Sequence, residues 1–174
     1  MTRVWPLPKY RDGRAPRISD GFHTGTDVRA GKAKRPHLGV DVMYRRPVAG
    51  IPVLPNLSKH YECLPDTPIL ACGDGLVLES KEVSKGGYIL IDHEDGTASQ
   101  YMHLARRDVA LGDRVLAGVT IGLAGFNPSA GKGAYALRHL HFQYREGFKS
   151  IRESGRRVDP APLMATWEIM PWPG

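Results

Sequence analysis

The chain has 174 residues, of which 41% are hydrophobic and 24% are charged. This composition excludes disordered, collagen-like and coiled-coil proteins, and the length predicts one domain over residues 1–174 that buries roughly 70% of its unfolded surface. The 24 Lys and Arg against 18 Asp and Glu give a net charge of +6. That charge favours anionic partners such as nucleic acid, phospholipid headgroups or a bacterial wall.

The N-terminal residues 1–17 lack the apolar core and small-residue cleavage site that are typical of a secretory signal peptide. The most apolar run, residues 115–126, is too short and too rich in Gly to span a bilayer, which needs about 20 residues. We therefore expect synthesis in the cytoplasm and no membrane insertion. A substrate outside the cytoplasm would then require delivery by a route other than general export.

Short alternating runs between turn residues predict strands, because 20 Gly and 14 Pro interrupt most windows that are long enough for a helical period. The predicted strands are, in chain order, 37–43, 68–80, 86–93, 97–104, 113–124 and 136–145. Asp95 and Gly96 predict a tight hairpin between the third and the fourth. This spacing indicates an all-β fold, an antiparallel β-sandwich or open barrel.

Two segments do not fit the strand pattern. Residues 45–66 contain four prolines and no clean period, which predicts an inserted loop of functional or disordered character. Residues 160–174 are irregular, with one short helical turn expected near 160–166. Cys63 and Cys72 do not form CxxC, which excludes a zinc ribbon. Buried free thiols are the favoured interpretation, and a disulfide is the alternative for an oxidising compartment.

The pattern H-x-G-x-D occurs twice, at His23–Asp27 and at His37–Asp41. Residues four apart on an ideal strand are about 13 Å apart, whereas two ligands of one zinc ion are within about 3.5 Å. Gly in the middle permits the necessary bend. Leu38 and Val40 anchor the second copy in a core, whereas the first copy continues into a polar loop. Because metal ligands need a rigid element, we expect only the second copy to bind metal, with the first at most on a groove rim.

The segment His139-Leu140-His141 predicts two imidazoles on one face of a strand, because residues i and i+2 share a face about 6.6 Å apart. Leu140 and Phe142 would then point to the core. A pair of surface histidines on a solvated face is the alternative. The pattern alone does not decide between the two.

His103 ends another predicted strand, on which Tyr101 and His103 would face one side and Met102 and Leu104 the other. Several imidazoles, one carboxylate and no paired thiolates suit a catalytic zinc ion with an open position for water. The motif H-E-x-x-H is absent from the sequence. A histidine would therefore have to act as the general base.

In this order and spacing, the segments around His37, Asp41, His103 and His141 resemble the M23 (lysostaphin/LytM-type) peptidoglycan endopeptidases. Further segments of the chain are similar to that family and extend the resemblance over most of the sequence. They are WPLP (5–8), ISDGF (18–22), DTPILACGDGLVLES (66–80), GDRVLAGVTIGLAG (112–125) and VDPAPLM (158–164).

The resemblance implies that one Zn²⁺ is held by His37, Asp41 and His141. It places His103 and His139 beside the bound water and the developing oxyanion, without deciding which residue does which. It also implies long loops that form a groove over the zinc site. Two candidate groove residues follow: His60 on the 45–66 insertion, and Tyr101, which would either line the groove or pack in the core.

The leading hypothesis is a zinc-dependent endopeptidase that hydrolyses peptide cross-links of bacterial peptidoglycan. We expect it to act as a phage-type lysin, which is either released by a holin or carried in a virion tail with tail proteins as partners. The alternative is a catalytically inactive M23-like wall-binding or virion structural module. A nucleic-acid-binding β-barrel is the third class, but few aromatic residues interleave with the basic strands. The sequence leaves the scissile bond, the wall type and the oligomeric state open.

Overall fold

We describe the fold from a computed structural model, in which residues 2–24, 28–29, 32–33, 36–45, 61–128 and 137–174 are described. The strands of these residues are β1 Arg17–Asp20, β2 Val28–Arg29, β3 Lys32–Ala33, β4 Val40–Arg45, β5 Tyr61–Glu62, β6 Pro68–Leu70, β7 Gly75–Val83, β8 Gly86–Asp92, β9 Thr97–Arg107, β10 Arg114–Val115, β11 Thr120–Ala124, β12 Leu140–Glu146 and β13 Arg156–Val158. The one helix of the described chain, α1, covers Ala161–Met164. No helix in these ranges is long and apolar enough to cross a membrane.

Eleven of the strands form one sheet, with the order β1-β4-β12-β9-β8-β7-β10 and with β5, β6, β11 and β13 attached beside this path. All the pairings are antiparallel. The long strand β9 pairs with β12 and β8, and its last residues pair with β11. The predicted all-β antiparallel class is therefore confirmed.

The core lies on one face of this sheet and is filled by alternate residues of its central strands. Val40 and Val42 of β4, and Leu140 and Phe142 of β12, are completely buried there. Strand alternation then places Asp41, His139 and His141 on the opposite face. The prediction that Leu140 and Phe142 point to the core is correct, and this packing fixes the direction of the intervening histidines.

The hairpin between β8 and β9 turns at Asp95-Gly96 as predicted, with Gly96 at φ +81°. Glu94 also has a positive φ, of +56°. The prediction of single strands over 68–80 and 113–124 is wrong. Each of them divides into two strands, because the turn segments CGDG and LAG interrupt the ladder.

The chain from Arg17 to Met43 forms one antiparallel hairpin in its described parts. Arg17 pairs with Met43, and His23 pairs with His37 in an isolated bridge. Near the tip, β2 pairs with β3. We call residues 17–24 the first arm and residues 36–45 the second arm. Neither this hairpin nor strand β1 was predicted from the sequence.

A β-bulge at His103 changes the direction of the side chains in β9. Gly87 pairs with Leu104 and Tyr88 pairs with Met102, so His103 is the extra residue, and its φ is +65°. Tyr101 and Leu104 consequently both lie in the core. The predicted face sharing of Tyr101 with His103, and of Met102 with Leu104, is wrong because a bulge interrupts the two-residue period.

The remaining sequence predictions have mixed outcomes. Helix α1 lies at the helical turn that was expected near 160–166. Both cysteines are buried free thiols, and Cys63 lies in the core although it belongs to the predicted 45–66 insertion. The insertion also contributes the short strand β5. Residues 46–60 lie outside the described residues.

Candidate metal centre

Three side chains converge at the point where the second arm meets β12. His37 Nε2 is 3.1 Å from Asp41 Oδ1 and 3.0 Å from His141 Nδ1, and His141 Nδ1 is 3.0 Å from Asp41 Oδ1. The three atoms form a nearly equilateral triangle. We call these residues the primary cluster.

Strand pairing brings the primary cluster together. Asp41 and His141 are direct partners in the ladder between β4 and β12, so their side chains share a face. His37 precedes β4 and is held by the backbone hydrogen bonds of the bridge to His23. The second H-x-G-x-D copy therefore acquires its third ligand-type residue from a strand about 100 residues later, at His141.

Gly39 is required by this approach. A Cβ atom on Gly39 would lie 2.5 Å from Phe142 O and 2.8 Å from both Gln143 Cγ and His141 Nε2. Any side chain here would displace β12 or the His141 ring. The middle Gly of the motif thus serves close packing against β12.

Electrostatics hold the primary cluster in a form suited to a cation. Burial alone would raise the pKa of Asp41, but the hydrogen-bond contacts of the carboxylate with the His141 and His37 rings outweigh burial and hold its pKa well below the usual range. For His141, burial lowers the pKa despite the neighbouring carboxylate. Burial opposes the charge of His37, yet Asp41 raises the pKa of that ring.

The donor set fits zinc. Two imidazole nitrogens and one carboxylate oxygen are a common protein contribution to a catalytic zinc site, and their separations of 3.0–3.1 Å are slightly below the ligand separation of about 3.5 Å in a tetrahedral site. Backbone contacts support this use, because His37 Nδ1–H donates to Gly21 O at 2.8 Å and leaves Nε2 to face the cluster. A backbone carbonyl that accepts the other ring N–H commonly orients a ligand histidine.

Two further histidines flank the primary cluster. His139 Nε2 is 3.8 Å from Asp41 Oδ1, and its Nδ1–H donates to Leu137 O at 2.8 Å. His103 Nδ1–H donates to Lys85 O at 2.7 Å, and the centroids of the His103 and His139 rings are 4.8 Å apart. The backbone carbonyls therefore fix one tautomer in both rings, with the lone pair on Nε2.

The His103 ring is kept neutral. Burial, and to a smaller extent the neighbouring His139, lower its pKa to about 4. The positive φ of the bulge turns the ring away from the core that contains Tyr101 and towards His139 and His141. His103 thus presents a neutral imidazole at physiological pH.

Gln143 and Arg157 complete the surroundings of His141, and sequence reasoning missed both. Arg157 Nε donates to Gln143 Oε1 at 2.6 Å, and the Gln143 amide donates to His141 Nε2 at 2.9 Å. Arginine can only donate hydrogen bonds, so its partner is the oxygen of the Gln143 amide. The amide nitrogen must then face the imidazole. The two-residue strand period through His139 and His141 could have indicated Gln143, whereas Arg157 comes from β13.

The other sequence-predicted site residues do not join the cluster. Tyr101 is completely buried, and its hydroxyl accepts hydrogen bonds from Cys72 N and Ser99 Oγ; the groove alternative for Tyr101 is therefore wrong. His60 and Asp27 lie outside the described residues. His23, which was expected in a polar loop, is instead buried opposite His37.

Residues 58–160 match the sequence pattern of Peptidase family M23, and this match covers more than half of the chain. The chain belongs to peptidase family M23. The matched range includes His103, His139 and His141, whereas His37 and Asp41 precede it. Both parts meet in the primary cluster of the M23 fold.

Two curated relatives are similar to part of this M23 chain. Peptidoglycan DD-endopeptidase ShyC of Vibrio cholerae is 37% identical over 98 residues, which are 53% of this chain and 22% of ShyC. Glycyl-glycine endopeptidase ALE-1 of Staphylococcus capitis is 40% identical over 101 residues, which are 56% of this chain and 26% of ALE-1. The chain therefore spans less than a third of the length of these relatives.

A solved structure has a similar fold. It is a zinc-containing peptidase from Vibrio cholerae, which superposes with a TM-score of 0.61 at 23% sequence identity. The superposition covers 90% of this chain and 39% of that one. At this identity the similarity shows the M23 fold.

Proposed function

We propose that the protein is a zinc-dependent endopeptidase that hydrolyses peptide bonds in bacterial peptidoglycan. The observation that carries this proposal is the triangle of His37, Asp41 and His141 beside two further histidines, His103 and His139, whose Nδ1 atoms contact backbone carbonyls and whose Nε2 atoms are left to accept a proton. The relatives ShyC and ALE-1, which are named as peptidoglycan DD-endopeptidase and glycyl-glycine endopeptidase, support the substrate class.

The residues of the primary cluster would hold zinc through His37 Nε2, Asp41 Oδ1 and His141 Nδ1. A bound zinc ion polarises a carbonyl and lowers the pKa of water towards about 7. Asp41 is already negatively charged before an ion binds, because its depressed pKa keeps this carboxylate ionised. Gln143, which is held by Arg157, contacts the Nε2 edge of the His141 ring, opposite the Nδ1 atom that faces the cluster.

His139 is the proposed general base. Its Nε2 is near Asp41 Oδ1, and its Nδ1–H is already committed to Leu137 O, so a proton from the attacking water is accepted at Nε2. As the water oxygen bonds to the scissile carbonyl carbon, the His139 imidazolium forms. It then donates the proton to the leaving amine as the C–N bond breaks.

His103 assists this proton transfer from the neighbouring strand. Its pKa of about 4 keeps the ring uncharged while His139 becomes an imidazolium. A second positive charge at a ring-centroid distance of 4.8 Å would oppose that step. The neutral His103 ring therefore permits a single positive charge on the pair.

The scissile bond stays open, because the two relatives carry different specificities in their names. The net charge of +6 would favour association with an anionic wall, and this association should weaken as salt rises. Digestion of sacculi of defined chemistry, followed by mass spectrometry of the new termini, would identify the bond. New amino termini within the stem or the bridge support the proposal.

The decisive test compares zinc-loaded wild-type protein with zinc-loaded His139→Ala protein on purified sacculi. We expect loss of turbidity and new amino termini with the wild type alone. If zinc-loaded wild-type protein releases no termini while sacculi still pull it down, the second candidate function applies, a catalytically inactive M23-like wall-binding or structural module.

The biological setting is a separate part of the proposal. Delivery as a phage-type lysin, by holin release or in a virion tail, stays a prediction from the sequence. A test is to express the protein in a host with and without a holin and to compare lysis. Lysis that requires the holin supports the lysin role, and lysis without it contradicts that role.

A further inference from the structure

A second group of ligand-type side chains lies on the outer side of His37. Asp20, His23 and His37 each present one nitrogen or oxygen atom, and these atoms lie within 4.8 Å of one another. We call these residues the accessory cluster. Asp20 and His23 belong to the first arm of the hairpin, and neither takes part in the proposed reaction.

The hairpin register fixes the accessory cluster. His23 and His37 are antiparallel partners, with His23 N–H donating to His37 O at 2.9 Å and His37 N–H donating to His23 O at 2.8 Å. Their ring centroids are 5.6 Å apart, and Asp20 Oδ2 is 4.0 Å from His37 Nδ1. The backbone therefore holds two imidazoles and a carboxylate together.

The His23 side chain provides an independent sign of a missing partner. His23 is only 8% exposed, and its Nδ1 is buried without a hydrogen-bond partner among the described residues. A buried polar nitrogen without a partner costs free energy, and such atoms in folded proteins usually meet water, another group or an ion. The His23 ring therefore has a nitrogen that a further group could satisfy.

The ligand chemistry selects the ion. Two imidazoles and one carboxylate suit first-row divalent ions such as Zn²⁺, Ni²⁺ or Cu²⁺ better than Ca²⁺ or Mg²⁺, which prefer oxygen. The Asp20 side chain is 37% exposed, so an ion can arrive from solvent. This exposure also suggests weaker binding than at the primary cluster, whose carboxylate is buried.

The two clusters share His37 and use different atoms of it. Nε2 faces the primary cluster, whereas Nδ1 faces Asp20 and donates its proton to Gly21 O. A neutral imidazole has one lone pair. When Nδ1 binds an ion, its proton must move to Nε2 through solvent, and Nε2 can then no longer bind an ion in the primary cluster.

We propose that Asp20, His23 and His37 form a second, weaker divalent-metal site that competes with the primary cluster for His37. Excess Zn²⁺ fills this site, removes one ligand from the first ion and lowers the rate of hydrolysis. The inhibition rests on the proposed function, whereas the metal site itself rests only on the geometry of the hairpin.

Metal binding can be counted without any activity measurement. Metal-free full-length protein would be titrated with Zn²⁺ and, separately, with Ni²⁺ by calorimetry and by equilibrium dialysis. We expect a tight event followed by a weaker second equivalent in the wild type. His23→Gln and Asp20→Asn should each lose the second equivalent, whereas the control Asp108→Asn, at an exposed carboxylate on the Arg106 ion pair, should keep it.

Three outcomes would overturn the site: one equivalent in the wild type, a second equivalent that persists in His23→Gln, or a second equivalent that disappears in His139→Ala instead. The last result would place the ion on the His103–His139 pair. Thermal unfolding of each metal-free variant shows whether a loss reflects misfolding, and Asp20→Asn provides the second, exposed position if His23→Gln fails to fold.

Competition is tested by a ratio of rates. The hydrolysis rate at excess Zn²⁺ is divided by the rate at one equivalent, for the wild type and for Asp20→Asn. We expect the ratio to be well below one in the wild type and near one in the variant. Equal ratios contradict the competition. If neither protein hydrolyses sacculi, the proposed function fails, and the binding titration still decides the site.

Discussion

The two arms of the 17–43 hairpin each carry a histidine and an aspartate in different surroundings. The second arm continues into β4, which lies between β1 and β12, whereas β1 of the first arm pairs with β4 alone among the described strands. Asp41 therefore meets His141, a residue contributed by β12, whereas Asp20 faces His37 Nδ1 at 4.0 Å. The same residue types acquire different chemistry because the second arm has a third strand beside it.

The largest expected effect tests this difference directly, by removing the carboxylate of each arm in turn. Asp41→Ala removes a buried ligand and leaves two histidines. Tight zinc binding should therefore weaken by more than about 100-fold, which exceeds the effect of removing a residue that only hydrogen-bonds to a ligand. Hydrolysis should fall to background. Zinc content after dialysis against a metal buffer measures the first effect, and release of amino termini measures the second.

Asp20→Ala is the matched variant on the first arm. It should retain the tightly bound zinc, because Asp20 faces His37 Nδ1 rather than Nε2. If Asp20→Ala loses the tight zinc as Asp41→Ala does, then the third strand does not distinguish the arms.

The next effect concerns His139, the proposed general base, which precedes β12. His139→Ala should retain zinc, because the triangle of His37, Asp41 and His141 does not include it. The turnover number should fall by about 100- to 10,000-fold, the usual contribution of a general base. Zinc content and turnover are measured on the same preparation. Loss of zinc in His139→Ala would make this residue a ligand.

Much of this architecture follows from sequence pattern alone. The alternation of Leu140 and Phe142 with two histidines correctly predicts a core face and a polar face on β12. The apolar fillers of the second motif likewise predict the buried strand β4. These features depend on neighbours two residues apart, which the sequence displays.

The features that were missed depend on pairing across the fold. His23 and His37 are symmetric about residue 30, yet the hairpin register is visible only in the fold. Tyr101 was a groove candidate because alternation was assumed to continue through His103, where the bulge adds one residue. Arg157 reaches Gln143 from a different strand. Propensity and period give no signal for such contacts.

A third effect uses the glycines of the two arms. Gly39→Ala would place a Cβ 2.5 Å from Phe142 O, and such overpacking should destabilise the protein by about 3 kcal/mol. It should also weaken zinc binding by displacing His141. Urea unfolding of the metal-free protein measures the destabilisation.

Gly21→Ala is the control for this effect on the first arm. A Cβ there meets no atom within 4 Å, so we expect a change within about 0.5 kcal/mol. Equal destabilisation by the two substitutions would show that close packing against β12 is not what distinguishes the second arm.

The smallest effect concerns His93, a histidine outside both arms. His93 is buried but belongs to neither cluster, so its substitution tests the effect of a buried histidine that is not a proposed ligand. His93 is completely enclosed, with Nδ1–H donating to Asp74 O at 2.7 Å and Nε2 2.9 Å from Ser99 Oγ. Burial lowers its pKa below the ordinary value of 6.5, and the bond to Asp74 only partly offsets this.

In the pH window below 6.5, the unfolded chain therefore binds a proton at this position that the folded chain resists, so stability is lost as the pH falls. His93→Gln removes this contribution. Between pH 7 and pH 5 the unfolding free energy of the variant should decline less steeply than that of the wild type, by at most about 1.4 kcal/mol per pH unit, the limit for one proton. Urea unfolding of metal-free protein measures both slopes, and zinc content at pH 7 should be equal in the two proteins. Equal slopes would contradict the prediction that folded His93 resists protonation. Loss of zinc from His93→Gln would show that a buried histidine outside the cluster also supports the metal site.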